Sequence, residues 1–408
     1  METLNVLLNN KLIGYLSRTR GGARFQYVDK LQLNSPLLST SLPVKKSPYN
    51  EGRTRDWFEG LLPEGKRLEE LSRIVGCDLY DYFELLKNVG YECAGAVQII
   101  PKGQNQGNIN SFKSVTNDEL YEIITKNQYF GNIEDEFWRI SIGGFQDKIC
   151  IILKEGKMFL PNKGAISTHI LKPEMPDYPG LVQSEAWATF VASCVTKSSK
   201  VECIMIKEIP VLRVERFDRN VFNGERVRIH QEDFCQACGI NTSLKYANPR
   251  EAKGTDPSYK KFVELLFSYS IDPLFEIQTL AKQMLVNLCL GNYDAHAKNY
   301  SIFHDENYNI CMSPMYDVVP IAEVEPRTKY LSIRINGKIS PKDITYEDLL
   351  HEINSWGLTL KLSKDIINEC CDLISDGLKI GAKAYPKASN IHKKPTENRL
   401  SKYNVKYK

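Results

Sequence analysis

The sequence predicts an α+β chain: a small α/β unit first, then a strand-rich stretch, then a helical one. Three observations carry that expectation. Apolar–polar alternation at two-residue spacing marks the first hundred residues and returns from about residue 137. Three- and four-residue apolar spacing takes over beyond about residue 230. At 408 residues, 42% hydrophobic and 25% charged, the chain is globular and long enough for two or three subdomains of roughly 100–200 residues each.

In chain order, Leu4–Leu8 and Lys11–Leu16 read as a hairpin turned at Asn9-Asn10, with Arg24–Val28 as a further strand. Trp57, Phe58, Leu61 and Leu62 have helical spacing up to a break at Pro63-Glu-Gly65. Leu68, Leu71 and Ile74 run to Gly76, and Tyr82, Phe83, Leu85 and Leu86 to Gly90. The strand Gly95–Ile100 closes a unit over 1–100. Residues 101–136 open rich in Gly and Asn and read as a linker or connecting segment. The β-rich unit spans 137–225, through Arg139–Ile142, Lys148–Leu153, Met158–Leu160, Thr168–Lys172 and Val211–Phe217. A helix intervenes over Ser184–Ala192, with Ser184 as its expected N-cap. The helical unit spans 226–385: positions 280, 281, 284, 285 and 288 share one face up to Gly291. A hairpin-like pair, Tyr300–Phe303 and Asn309–Met312, and a helix over Leu349–Leu378 follow. Residues 386–408, with Pro386 and Pro395, predict a mobile basic tail.

Charge and composition exclude several classes. The net charge is +3, yet the last 23 residues carry +6, so the body is near −3 and offers no broad nucleic-acid-binding surface. No run of 18 apolar residues exists, and the start lacks a basic n-region, so neither a transmembrane helix nor a signal peptide is expected. Eleven cysteines, an odd number, read as reduced thiols of a soluble cytoplasmic protein. Cys235-x-x-Cys238 stands without a second ligand pair, which disfavours zinc. Neither Gly-x-Ser-x-Gly nor His-Glu-x-x-His occurs, against serine hydrolases and zincins.

The sharpest chemical signal is Gly291–Asn299, containing Asp294-x-x-x-x-Asn299, followed by Asp317 beyond the hairpin. This is the order of a kinase catalytic loop: an Asp to take the hydroxyl proton, an Asn and a second Asp to hold Mg2+ against ATP phosphates. Magnesium suits the set, because it prefers hard oxygens and keeps several waters. Upstream, Ser141, Gly143 and Gly144 lie between two predicted strands, where amides can approach phosphate; a plain turn has the same composition. Lys172 ends a strand as a nucleotide-clamping lysine does, with Glu185 as a candidate partner. Glu215, Arg216 and Phe217 occupy the place of an adenine hinge. His296 is a candidate for orienting Asp294 or a phosphate, or for scaffold alone. Lys298 is a candidate for neutralising the phosphoryl group in transfer. Gln231-Glu232-Asp233 has no assigned chemistry and defaults to a solvated or scaffold role.

These motifs resemble the HipA family of serine/threonine-kinase toxins from toxin–antitoxin modules. The matching segments are Arg139–Lys148, Thr168–Lys172, Val214–Arg219, Gln231–Gln236, Gly291–Asn299 and Tyr316-Asp317. The N-terminal unit is similar through Phe58–Gly65, Leu85–Gly90 and Ala94–Val97. Phe145 departs from the small residue usual after the glycines. The resemblance implies a two-lobed protein-kinase-like fold with an added N-terminal α/β subdomain. It implies MgATP as cofactor, Asp294 as base, Asn299 and Asp317 as metal ligands, and Lys172 on the phosphates. It further implies self-silencing by phosphorylation of Ser141, a helix-turn-helix antitoxin of the HipB type, operator DNA reached through that antitoxin, and a translation target such as an aminoacyl-tRNA synthetase. Two other readings compete: a small-molecule phosphotransferase, and a non-catalytic kinase-fold subunit of a DNA-bound repressor complex.

Overall fold

The computed structural model describes residues 2–126, 148–325 and 328–403. With 39% helix and 21% strand, the chain is α+β as expected. It divides into two compact units. The first comprises Met1–Pro173, Ile204–Thr242 and Phe303–Tyr308; the second comprises Glu174–Cys203, Ser243–Ile302 and Asn309–Lys408.

The first unit opens with an antiparallel sheet in the order Gly22–Tyr27, Lys11–Thr19, Thr3–Leu8, Val97–Pro101. Asn9 and Asn10 turn its first hairpin at φ 48° and 63°, a left-handed conformation that asparagine tolerates. Helices Glu51–Phe58 and Tyr82–Val89 are capped by Asn50 and Asp81, whose side chains accept from Arg53 N and Glu84 N. Their Trp57, Phe58, Phe83, Leu85 and Leu86 join Leu4, Leu16 and Phe25 in one buried core.

A second sheet runs Phe112–Ser114, Lys157–Pro161, Ile149–Lys154, His169–Pro173, Ile209–Glu215, Val201–Ile206. The Glu155-Gly156 turn has φ of 52° and 74°. The segment expected as a linker contributes the edge strand Phe112–Ser114 and the helix Asn117–Thr125. A reciprocal Thr116–Glu119 capping box starts that helix, and its Leu120, Ile123 and Ile124 pack with Ile149, Leu171 and Val211. Its amphipathic stripe is one turn and a half long, too short to stand out beside the polar run before it.

The first unit also takes in residues beyond the expected boundary at 225. Gln231–Asp233 forms a short strand and Phe234–Cys238 a helix with an Asp233–Gln236 capping box. Glu232 is a buried scaffold group: it accepts from Trp57 Nε1 at 3.1 Å and Thr40 N at 3.0 Å, with His304 Nε2 at 2.9 Å. Burial pushes its carboxyl up, but these donors outweigh burial and hold it below the usual range.

The second unit is helical. Helix Leu181–Ser193 begins three residues before Ser184, so Ser184 is not its cap. Glu174 supplies the cap through Val182 N, while Ser184 Oγ donates back to Gly180 O. Helix Pro273–Leu290 starts on Asp272, which accepts from Phe275 N, and ends at the left-handed Gly291. Its last two turns are buried all round, wider than the single face that the apolar spacing describes. The span 349–378 is two helices, Tyr346–Asn354 and Leu360–Ala384, parted at Gly357 with φ 90°.

Residues 386–403 are a helix rather than a mobile tail. Pro386 suits a first turn, and Ala388, His392, Thr396, Leu400 and Tyr403 recur at three- and four-residue spacing on a buried seam. Two of those five are polar, which hides the stripe from a hydrophobicity reading. His392 Nε2 lies 2.8 Å from Ser184 Oγ, and its ring tilts against Trp187 at 5.3 Å.

Candidate active site

The chemistry-bearing loop follows from how the long helix of the second unit ends. Gly291, at φ 75°, reverses the chain, and a Cβ there would meet Arg399 Nη2 at 2.9 Å and Ala322 Cβ at 3.0 Å. Asn292, 3% exposed, donates its amide to Asn287 Oδ1 at 2.9 Å and to the Asp317 carbonyl at 3.2 Å. One buried side chain thus ties the helix end to the backbone of the second aspartate. Asn287 in turn donates to Tyr300 Oη at 3.0 Å, and Tyr300 pairs with Tyr259 at 3.1 Å.

Asp294 and Asn299 are held by the loop itself. His296 N donates to Asp294 O at 2.7 Å, Asn299 N to His296 O at 2.8 Å, and Asn299 Nδ2 to Asp294 O at 3.2 Å. With its nitrogen so committed, the Asn299 amide offers Oδ1 as its acceptor, the atom a magnesium ion requires. Asp317 sits at φ 53°, in the left-handed region that a non-glycine residue enters at a cost, as strained residues at functional sites do. A carboxylate and an amide oxygen on one loop system fit Mg2+. His296 and Lys298 are both buried, and the Lys298 carbonyl accepts from Tyr316 Oη at 2.6 Å. Asp294 Oδ1 accepts from Tyr246 Oη at 3.0 Å, and the Tyr246 ring stands edge-on to His296 at 5.0 Å. Sequence reasoning missed Tyr246, because 48 residues separate it from Asp294 with no motif between.

The remaining candidates lie in the first unit, each placed there on its own terms. Lys172 is 4% exposed on the strand His169–Pro173, opposite Leu212, so it is not a solvated strand-end lysine. Glu215 ends its strand opposite His169, and Phe217 packs edge-on to Phe303 at 5.6 Å. Arg216 turns its side chain into a buried ion cluster. Its N–H donates to Thr168 O at 2.9 Å and its guanidinium is buried against Asp218, Ser167 and Glu92. Arg219 and Arg228 converge on the same Glu92 carboxylate at 2.9 and 2.7 Å. Burial pushes the Glu92 carboxyl up, but Arg219, Arg228 and Arg216 outweigh it and hold it well below the usual range. Glu185 is buried on helix Leu181–Ser193 of the second unit. Ser141, Gly143 and Gly144, with Phe145, lie outside the described residues.

This loop and the α+β architecture define a protein of the kinase-like fold class. The HipA-like C-terminal domain model matches residues 140–378, and the HipA N-terminal domain model matches residues 4–100. The chain belongs to the HipA family. It is similar to "Putative kinase Y4mE" of Sinorhizobium fredii, 31% identical over 93% of this chain and 91% of that one. It is also similar to "Serine/threonine-protein kinase toxin HipA" of Shewanella oneidensis, 29% identical over 88% and 84% of the two chains. The fold matches that of Shewanella oneidensis HipA solved with HipB and operator DNA, with a TM-score of 0.85 at 24% identity over 98% and 97% of the chains. Among the described residues, no helix is long and apolar enough to cross a membrane.

Proposed function

We propose that this chain is an ATP- and Mg2+-dependent serine/threonine protein kinase, the toxin of a toxin–antitoxin pair. The observation that carries the reading is the loop in which Asn299 holds the Asp294 carbonyl and Asn292 ties the preceding helix end to the Asp317 carbonyl. In the reaction, a serine or threonine hydroxyl oxygen bonds to the γ-phosphorus of ATP while the β–γ bridging bond breaks and ADP leaves with the electron pair. Asp294 takes the hydroxyl proton. Asn299 Oδ1 and the Asp317 carboxylate would hold Mg2+, which supplies charge neutralisation on the phosphates. By the family resemblance, Lys172 would contact nucleotide phosphate with its ammonium. The backbone of Glu215, Arg216 and Phe217 would meet adenine, as the family resemblance implies. His296 and Lys298 orient the loop and the phosphoryl group.

Three further elements belong to this reading by family membership. Phosphorylation of Ser141 silences the kinase, since a phosphate adds about −1.5 to −2 charges beside those of the nucleotide. A HipB-type antitoxin binds the chain and brings it to operator DNA, the assembly named for the Shewanella oneidensis protein. The target is a translation component such as an aminoacyl-tRNA synthetase.

Phosphoproteomics after brief induction tests the reading. The native chain is expected to raise phosphoserine or phosphothreonine on a small set of proteins, and Asp294→Asn is expected to raise none. Identical phosphoproteomes for the two would overturn it.

A further inference from the structure

Tyr246 belongs to none of the motifs, yet its hydroxyl donates to Asp294 Oδ1 at 3.0 Å. That is the distance at which a general base must hold the proton it removes, about 2.6–3.2 Å between heavy atoms. The backbone around Tyr246 is fixed on the loop from both sides. Ala297 N donates to Lys245 O at 3.2 Å, and Ala247 N donates to Ser332 O at 2.8 Å. Ser332 is itself anchored: its N–H and Oγ both donate to Tyr293 O, next to Asp294, at 3.0 and 2.8 Å. The side chain, by contrast, is 44% exposed and rests edge-on against His296. Its Cα is thus clamped, while its ring stands on the exposed side, where side chains exchange rotamers on the picosecond-to-nanosecond scale.

We propose that Tyr246 occupies the acceptor subsite, its phenol standing at Asp294 where the incoming serine or threonine hydroxyl belongs. An alcohol donor already holds Asp294 Oδ1, so water does not reach the base in the orientation for attack. A protein substrate displaces the ring by offering a hydroxyl of the same hydrogen-bonding type together with its own contacts; a lone water offers the hydroxyl without the contacts. Tyr246 is therefore a specificity-determining residue that separates phosphoryl transfer to protein from hydrolysis of ATP. In that hydrolysis the water oxygen bonds to the γ-phosphorus, the β–γ bridging bond breaks, ADP and phosphate leave, and Asp294 receives the water proton.

The inference rests on the reading of Asp294 as the base, and its test separates the two. Initial rates of MgATP hydrolysis are measured on the full chain without protein substrate, for the native chain, Tyr246→Phe, Asp294→Asn and the double variant, with thermal midpoints as the check of fold. Because Tyr246 is exposed, its hydrogen bond is worth no more than an ordinary neutral one, and removing it is expected to raise the Tyr246→Phe rate roughly 3–10-fold at unchanged KM for ATP. The double variant is expected to be as slow as Asp294→Asn. A well-folded Tyr246→Phe chain with an unchanged or lowered rate would overturn the proposal while leaving Asp294 in place. A rise in Tyr246→Phe that persists undiminished in the double variant would overturn the base and the proposal together.

Discussion

Replacing Glu92 by glutamine removes the carboxylate that three guanidiniums share. Its oxygens lie 2.7 Å from Arg228 Nη2, 2.9 Å from Arg219 Nη2 and 3.3 Å from Arg216 Nη1, and its residue is 2% exposed. With Asp218, the native cluster sets two carboxylates against three guanidiniums; the variant leaves one. Breaking a buried ion pair by deleting one partner costs about 3–5 kcal/mol, because the remaining charge stays buried. At about 2–4 °C per kcal/mol for a unit of some 200 residues, the thermal midpoint is expected to fall by about 6–20 °C. The pH dependence has a defined sign. The folded carboxyl is depressed, so its contribution is complete above the unfolded value of about 4.3 and is lost progressively as pH falls from there through the lower folded value. Acid denaturation of the native chain should show that loss, and Glu92→Gln should not. MgATP affinity, read by calorimetry where the variant is still folded, is expected to weaken as Arg216 loses an anchor. A midpoint within about 2 °C of the native value would refute the claim that the cluster needs this anion.

Asn292→Leu leaves Asn287 Oδ1 and the Asp317 carbonyl without their donor. It is expected to cost about 1–3 kcal/mol in denaturant unfolding and to raise the Mg2+ concentration needed for half-maximal ATP binding; an unchanged Mg2+ titration would contradict the tie to Asp317. Arg399→Ala removes a donor to Cys289 O at 2.7 Å and the ion pair to Glu323 at 2.6 Å, so roughly 2–4 kcal/mol of stability should go with it. Equal urea midpoints for Arg399→Ala and the native chain would show that the C-terminal helix does not brace the loop entry at Gly291. Asp317→Asn is expected to weaken MgATP but not metal-free ATP, and calorimetry showing equal loss in both would contradict metal ligation.

Turns and the helix stops at Gly76 and Gly291 were the legible parts of the fold, because single residues decide them. Asn9-Asn10, Gly76 and Gly291 all take the left-handed conformations that their residue types announce. The Asp294…Asn299 spacing was legible because one loop carries both side chains. What stayed hidden depends on pairing across long separations. Nothing near Arg216 in sequence announces that Glu92, 124 residues earlier, holds its guanidinium. Tyr246 is one aromatic among 21 tyrosines until its hydroxyl is seen on Asp294. The helix Pro386–Tyr403 hides behind lysines on its outer face and an interior Pro395, and its buried seam includes a histidine and a threonine. Charge and polarity report the solvent side of such an element, whereas docking reports the other side.

The central claim is that Asp294 is the base of a phosphoryl transfer from MgATP. Purified native chain and Asp294→Asn are compared for transfer of radiolabelled γ-phosphate to protein, with MgATP affinity measured on the same samples. Equal affinity and equal thermal midpoints are expected, with transfer lower by about 10²–10⁴-fold in the variant, the share of a positioned base. Near-native transfer by a well-folded Asp294→Asn chain would contradict it.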